Sequence, residues 1–168
     1  NKKYFTLIPG AAWSQKQWAV EKYIELINIC GKKYDITPIL LGSGDDIICK
    51  KIRLKSSIKS IDLSGKTNIR QAVAVLSNSI LSIGSDTGFT YASEALAVPT
   101  VAILGPTSFE TGAGLLSKNS INIQKNDIWC RPCSQNGSFP CYRQTQYCMD
   151  EINTSDVFNN VEKLLAQP

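Results

Sequence analysis

Short apolar runs alternate along this chain with longer segments whose apolar residues recur every three or four positions. The short runs predict buried strands, which occupy residues 4–8, 36–41, 60–63, 80–83, 101–104 and 120–123. The three-and-four spacing predicts helices between them, followed by a terminal helix over 154–166. Strands that alternate with helices predict an α/β fold, a Rossmann-like, doubly wound parallel sheet.

Glycine, proline and capping residues set the expected helix boundaries. Four signals are expected to begin or end helices: Gly31, Asp45, Asn68 and Val98-Pro99. The helix before Val98 is expected to turn one small apolar face inward: Ala92, Ala95 and Leu96. The helix after Asn68 is expected to do the same with Ile69, Ala72, Val73 and Leu76.

Most of the glycine-rich loops follow predicted strands, at residues 10–16, 42–46, 85–88 and 105–112. Ligands of doubly wound sheets bind beyond the carboxyl ends of the strands, so these loops form a candidate site. The segment Ser85-Asp86-Thr87-Gly88 lies between a strand and a helix, where unpaired N–H groups attract anions. Equally well, Asp86 or Thr87 could only cap the helix while Gly88 makes the turn.

Composition narrows the function. The 168 residues fit one domain over 1–168, and no apolar run reaches the roughly 20 residues that cross a bilayer. The net charge of +4 indicates anionic partners, but the basic residues are scattered, which weighs against nucleic acid. The absence of histidine excludes Ser-His-Asp and Cys-His catalysis within this chain.

Four stretches, taken in order, resemble the heptosyltransferase family, glycosyltransferase family 9. They are Pro9-Gly10-Ala11-Ala12-Trp13-Ser14-Gln15-Lys16, Leu63-Ser64-Gly65-Lys66-Thr67-Asn68-Ile69-Arg70, the segment from Asp86-Thr87-Gly88 to Gly105-Pro106-Thr107, and Cys130-Arg131-Pro132-Cys133. The resemblance implies one half of a GT-B glycosyltransferase, the carboxyl-terminal donor-binding domain. The resemblance also places the acceptor surface and the general base in an amino-terminal domain, which is expected to be absent from this chain.

The resemblance also implies partners. The expected reaction transfers a heptose or related sugar from a nucleotide diphosphate sugar, with ADP-heptose as the expected donor, to a lipopolysaccharide core acceptor held by the missing domain. No cofactor or metal is implied for catalysis. A cytoplasmic enzyme is expected, and a peripheral contact with the cytoplasmic face of the inner membrane is left open.

The family positions assign roles to residues at the strand-end loops. Lys16 is expected to neutralise the diphosphate, although most lysines are simply solvated. Asp46 is expected to accept the ribose hydroxyls; its alternatives are an acid in the first helical turn, or Asp45 as the ribose ligand.

The remaining roles belong to the segment at residues 86–91. Thr87 and Gly88 are expected to bind the diphosphate, and Asp86 is expected to bind sugar hydroxyls or backbone donors near the transferred sugar. Tyr91 stands where the family usually has histidine. Because a phenol is neutral at pH 7, the charge assistance of a histidine is lost there.

The Cys-rich loop at residues 129–149 contains the spacing C-x2-C-x7-C-x6-C, formed by Cys130, Cys133, Cys141 and Cys148. Four thiolates can close a structural zinc site, and two disulfides or four reduced thiols are the alternatives. No base lies beside these cysteines, so a structural role is favoured over catalysis. Cys30 and Cys49 are expected in the core.

Two other functions compete with sugar transfer. The chain could be a non-catalytic nucleotide-binding module with a structural cysteine cluster. It could also be half of a nucleotide-sugar epimerase, although the cysteine cluster and the loops at residues 9–11 and 105–107 resemble the transferases more.

Overall fold

Six parallel strands form one sheet in the order β3-β2-β1-β4-β5-β6 in the computed structural model, which describes residues 3–166. The strands are β1 Tyr4–Ile8, β2 Thr37–Leu40, β3 Ile61–Asp62, β4 Ser82–Ser85, β5 Thr100–Ile103 and β6 Ser120–Ile123. The α-helices are α1 Val20–Tyr34, α2 Ile47–Lys55, α3 Ile69–Ser77, α4 Gly88–Ala95, α5 Tyr147–Asp150 and α6 Thr154–Leu165. This order confirms the doubly wound prediction.

The strand order reverses between β1 and β4, the two central strands. Their register pairs Thr6 with Ser82 and Ile8 with Gly84, so the loops that follow both strands leave the sheet side by side. In a doubly wound sheet this reversal opens a crevice at the carboxyl ends of the strands. The loops after β1 and β4 are therefore the natural walls of a ligand site.

Helices cover both faces of the sheet, and the inner strands β4 and β5 are buried along their whole length. On one face, helices α1, α2 and α6 pack against Phe5 and Leu7. On the other face, Leu76 of α3 packs with Ile8 and Leu41. Among residues 3–166, no helix is long and apolar enough to cross a membrane.

Two expected helix boundaries are wrong. Helix α1 continues through Gly31 to Tyr34, and the left-handed residue at its end is Asp35, with φ 49°. Gly31 instead allows a close approach, since a Cβ there would lie 2.8 Å from a methyl group of Ile58. Helix α2 begins after Asp46, which replaces Asp45 at the N-cap position.

Helix α4 packs Ala92 and Leu96 against the core as expected, but it also buries polar side chains. Ala95 is exposed, whereas Thr90 and Ser93 are fully buried. Ser93 Oγ donates to Ser82 Oγ at 2.9 Å, so the hydroxyl of a buried strand residue has a partner. Strand β4 accordingly lies two residues later than its apolar run predicts.

Helix α3 begins as expected and buries Ala72 and Leu76 as expected, with Val73 partly buried, so only Ile69 departs from the predicted face. Asn68 and Gln71 form a reciprocal capping box at its first turn. Ile69, which was expected to point inward, is exposed. It lies instead on the rim of the crevice described next.

Candidate functional site

A cleft of about 600 Å³ opens at the carboxyl edge of the sheet, between the loops that follow β1, β2 and β4. Three of the predicted site residues line it: Asp46, Thr87 and Gly88. The remaining lining is largely small or apolar, formed by Ile8, Gly10, Ala11, Ala12, Gly42, Ser43, Ile69, Val73, Phe89 and Ala92. The cleft therefore joins an apolar wall to a carboxylate and a helix start.

The Asp46 carboxylate is held across two glycines. Its Oδ2 accepts a hydrogen bond from the backbone N–H of Ser43 at 2.6 Å, and its side chain does not cap α2. A Cβ on Gly10 would lie 2.5 Å from this carboxylate, and a Cβ on Gly42 would lie 2.4 Å from Oδ2. Both glycines thus leave the room that the carboxylate occupies.

Asp45, the alternative to Asp46, lies elsewhere. It lines a neighbouring cleft of about 430 Å³, together with Ser14, Gln17 and Lys51, and is not among the residues that line the larger cleft. Only Asp46 borders both clefts. The geometry therefore favours Asp46 for any contact with a ligand that also reaches helix α4.

The start of α4 is open toward the cleft. Thr87 occupies the N-cap position, but its side chain makes no capping hydrogen bond. Gly88 is exposed, and a Cβ added to it would meet no atom within 4 Å. The first N–H groups of a helix have no intrahelical acceptor, so this open end suits an anion better than a turn that only terminates the strand.

Asp86 lies beside this helix start and is only 6% exposed. Its Oδ2 accepts hydrogen bonds from Lys16 Nζ at 3.2 Å and Thr107 Oγ1 at 2.9 Å, and its Oδ1 accepts one from the Tyr91 hydroxyl. Its recorded partners in the structure are thus three side chains, and the expected contact with sugar hydroxyls or backbone donors stays a prediction. We call these four residues the Asp86 cluster.

Lys16 is neither solvated nor in the cleft. Its side chain is 13% exposed, and its ammonium pairs with Asp86. A Cβ on Gly137, in the Cys-rich loop, would lie 2.6 Å from Lys16 Cγ, so the lysine stem packs directly on that backbone. Lys16 and Asp86 are absent from the lining of the cleft in the described chain, although Asp86 directly precedes Thr87.

Tyr91 connects the cluster to a further loop. Its hydroxyl donates to Asp86 and accepts from the backbone N–H of Gly114 at 3.1 Å. Burial, with the hydrogen bond to Asp86 as the next cause, raises the pKa of Tyr91 to about 12. The phenol is therefore protonated at neutral pH, as the sequence predicts for this position.

Sequence reasoning missed the role of the loop after β5. Thr107 is fully buried, and its carbonyl accepts a hydrogen bond from Arg131 Nη2 at 2.7 Å. Arg131 also donates to the carbonyl of Gly105 and, at 2.8 Å, to that of Lys125. The available signals were that Thr107 belongs to a loop at the strand-end edge and to the Gly105-Pro106-Thr107 motif of the family resemblance.

The four cysteines of the Cys-rich loop line one small cavity together with aromatic residues of the same loop. All six cysteines of the chain are free thiols. Burial raises the pKa of Cys148 to about 11 and also raises that of Cys133, which disfavours their thiolates. Within residues 3–166, no three His, Cys, Asp or Glu side chains are grouped to hold a metal ion.

The Cys-rich loop lies against the strand-end edge. Gln146 Nε2 donates to the carbonyl of Gln15, and the Cys133 N–H donates to the carbonyl of Pro106 at 3.1 Å. These contacts reach the loops that carry Lys16 and Thr107. The Cys-rich loop therefore packs against the loops that carry the Asp86 cluster, on the side away from Asp46.

A doubly wound parallel sheet with an open helix start and a carboxylate in one strand-end cleft defines an α/β domain of the class that binds its ligands beyond the carboxyl ends of the strands. A sequence profile described as "Glycosyltransferase family 9 (heptosyltransferase)" matches residues 1–142. The chain belongs to this family, and the resemblance predicted from its motifs is confirmed.

Individual relatives agree with this assignment. Lipooligosaccharide heptosyltransferase 2 of Campylobacter jejuni is 27% identical over 169 residues, which cover 98% of this chain and 52% of the relative. The same-named protein of Haemophilus ducreyi is 30% identical over 134 residues, covering 76% of this chain and 38% of that protein. The chain thus spans about half the length of the curated relatives it matches most completely.

A solved structure shows the same fold. The structure of E. coli ADP-heptose LPS heptosyltransferase II superimposes with a TM-score of 0.80 at 21% identity, and covers 98% of this chain and 46% of the solved chain. The expected fold, one half of a GT-B glycosyltransferase, is confirmed.

Proposed function

We propose that this chain is the donor-binding half of a glycosyltransferase that transfers a heptose, or a related sugar, to a lipopolysaccharide core acceptor. The proposed donor is a nucleotide diphosphate sugar, with ADP-heptose as the first candidate. Membership of glycosyltransferase family 9 supports the reaction class. The observation that carries the proposal is that Asp46 and the open start of α4 border the same cleft.

The lining of the cleft suits a nucleoside diphosphate. A carboxylate accepts hydrogen bonds only, which matches the two hydroxyls of a ribose, so Asp46 is the proposed ribose ligand. The apolar side chains of Ile69, Val73 and Phe89 offer a surface for a base. The diphosphate would then meet the N–H groups at Thr87 and Gly88.

Negative charge develops on the departing diphosphate during sugar transfer. The start of α4 and the Lys16 ammonium are positive groups at this edge, so they could stabilise that charge without a divalent metal. The general base and the acceptor surface would come from the part of the protein that this chain does not include. We therefore assign no catalytic residue within the chain.

Titration calorimetry with ADP, UDP, GDP and adenosine tests the donor proposal. We expect this chain to bind a nucleoside diphosphate weakly and to transfer no sugar, because it supplies no base and no acceptor site. The full-length protein should transfer heptose from ADP-heptose. Sugar transfer by the isolated chain would contradict this division of labour.

The same measurements separate the alternatives. A non-catalytic module would bind the nucleotide, yet its full-length protein would transfer nothing. An epimerase would convert a nucleotide sugar without any acceptor. Either result would replace the transferase proposal while leaving the nucleotide cleft in place.

Two expectations from the sequence remain predictions. A structural zinc ion in the Cys-rich loop would require its four thiols to regroup, since they are not arranged as ligands in this structure. Metal analysis with thiol counting on freshly purified protein tests this. Cytoplasmic location and contact with the inner membrane are tested by fractionation of cells that express the full-length protein.

A further inference from the structure

Asp86 is hydrogen-bonded, directly or through Tyr91, to four separate parts of the chain. Its carboxylate accepts from Lys16 in the loop after β1, from Tyr91 in α4 and from Thr107 in the loop after β5. Tyr91 in turn accepts from the N–H of Gly114 in the connection to β6. The carboxylate offers about four lone-pair positions, so three protein donors leave room for one further hydrogen bond.

The Asp86 cluster contains one cation and one anion. Lys16 is the one cation that contacts Asp86 among the described residues, whereas Tyr91 and Thr107 donate as neutral groups. Glu94 adds another negative charge near Tyr91. Without Lys16, the charge of Asp86 would lie unpaired beside Thr87, where it would repel an incoming phosphate.

Thr107 cannot act on a ligand directly. It is fully buried and is not among the residues that line the cleft. Its hydroxyl donates a hydrogen bond to Asp86 Oδ2, the same oxygen that pairs with Lys16. Any influence of Thr107 on the cleft must therefore pass through Asp86.

We propose that Thr107 and Tyr91 are positioning residues of the donor site, which fix Asp86 so that it holds the Lys16 ammonium beside the start of α4. The proposal rests on the proposed function for its ligand, a nucleoside diphosphate. A lysine has a long flexible stem, so a fixed ammonium loses less freedom when an anion binds. Gly137 supports the stem, and Asp86 supports the charge.

Chemical labelling tests the positioning without any nucleotide. Lys16 acetylation by acetic anhydride is followed by mass spectrometry, with exposed Lys118 as the internal reference. Thr107→Val should raise the relative rate at Lys16 about fivefold, the effect of losing one hydrogen bond. Thr107→Ser should leave the acetylation rate of Lys16 at the native value, because serine keeps the hydroxyl.

Thr100→Val is the matched control. Thr100 is also fully buried, and its hydroxyl donates to the carbonyl of Val98 at 2.7 Å, outside the cluster. Both variants should lose stability, but only Thr107→Val should expose Lys16. Equal labelling of Lys16 in Thr107→Val and the native protein would overturn the proposal, as would equal acceleration in Thr100→Val.

Tyr91→Phe gives an independent variant on the other carboxylate oxygen. It removes the donor to Asp86 Oδ1 and should also accelerate Lys16 labelling. Tyr4→Phe is its control, since the Tyr4 hydroxyl donates to the carbonyl of Val75 at 2.8 Å and touches none of the cluster. An unchanged Lys16 rate in Tyr91→Phe would remove Tyr91 from the proposal.

Calorimetry in a double-mutant cycle then tests the link to the ligand. Thr107→Val should weaken ADP binding about fivefold and leave adenosine binding unchanged. In an Asp86→Asn background, the same substitution should have no further effect on ADP binding, because Thr107 acts only through the Asp86 carboxylate. An equal loss in both backgrounds would overturn the proposal. If the labelling shifts as expected but the native protein binds no nucleotide, the proposed function fails and the positioning role stands.

Discussion

The start of helix α4 lies between two regions that are built in opposite ways. On one side the cleft is lined by glycines: Gly88 leaves the helix start open, and Gly10 and Gly42 leave room for the Asp46 carboxylate. On the other side the Asp86 cluster is filled with side chains that hydrogen-bond one another. The cleft is open to a ligand, whereas the cluster is nearly closed to water.

This difference suggests a division of tasks. An open cleft with a carboxylate can accept a nucleoside with little reorganisation, whereas a charged cluster can supply a fixed ammonium beside the phosphates. Substitutions in the two regions should therefore have different effects. Changes in the cluster should cost stability and diphosphate affinity together, whereas changes in the cleft should cost affinity alone.

Lys16→Ala should have the largest effect. It leaves the buried Asp86 carboxylate without its cation, which should lower the free energy of unfolding by about 3 kcal/mol. Affinity for ADP should fall by about 1–3 kcal/mol, and affinity for adenosine should change little, because the lost interaction is Coulombic. Urea unfolding and titration calorimetry measure the two losses.

Two further variants sharpen this result. Lys16→Met keeps the stem that packs on Gly137, so it isolates the charge. Adding Asp86→Asn to Lys16→Met should recover most of the stability, since the unpaired charge is removed. Equal losses for adenosine and ADP would count decisively against a role at the phosphates.

Gly88→Val should reduce ADP affinity at least tenfold, which corresponds to about 1.4 kcal/mol. A Cβ at this position meets no atom within 4 Å beyond its chain neighbours and its own helix backbone, so the added side chain enters the space of the ligand and not the core. Thr87→Val removes one hydroxyl and should cost less. If folded Gly88→Val bound ADP normally, the anion site would lie elsewhere.

Asp46→Ala should weaken ADP and adenosine by the same factor, about fivefold, because the ribose is common to both. Gly42→Ala should act similarly, since its Cβ would lie 2.4 Å from Asp46 Oδ2. Gly44→Ala is the matched control, because the nearest atom to its Cβ is 3.7 Å away. Unchanged affinity for both ligands in Asp46→Ala would contradict the ribose assignment.

Asp45→Ala tests the remaining alternative for the ribose. Asp45 lines the smaller neighbouring cleft, so its removal should leave both affinities unchanged. A larger loss in Asp45→Ala than in Asp46→Ala would exchange their roles.

The sequence predicts the elements whose local pattern agrees with their surroundings. Strand β1 at Tyr4–Ile8 and strand β6 at Ser120–Ile123 lie where their apolar runs predict, and α6 at Thr154–Leu165 follows its three-and-four spacing. Strand β4 fails this test because Ser82 and Ser85 are buried polar residues. Their hydrogen-bond partners come from other elements, which a local pattern does not contain.

The candidate site likewise has features that the sequence predicts and features that it does not. Its location could be predicted, because the carboxyl ends of parallel strands meet at one edge. The ion pair could not, since Lys16 and Asp86 are 70 positions apart and each has several potential partners at that edge. Thr107 was missed for the same reason: its role depends on the adjacency of β4 and β5 and on the path of the loop that follows.

The smallest expected effect concerns Cys148 in the Cys-rich loop. Alkylation of its thiol tests it. Burial raises its pKa to about 11, so its thiolate fraction should rise tenfold per pH unit from pH 8 to 10. An ordinary thiol, with a pKa of about 8.5, should approach a plateau over that range. Iodoacetamide labelling, with glutathione as the reference thiol, compares the two rates by mass spectrometry.

The same pKa predicts how stability depends on pH and separates a structural from a catalytic role for Cys148. Because its pKa is higher in the folded than in the unfolded protein, the contribution of Cys148 to stability is present below pH 9 and lost as the pH rises through about 11. Cys148→Ser should reduce that alkaline loss, lower stability at neutral pH by about 1 kcal/mol and leave ADP affinity nearly unchanged. An early plateau in alkylation, together with lost turnover of the full-length protein at unchanged stability, would identify a reactive thiol and contradict the structural role.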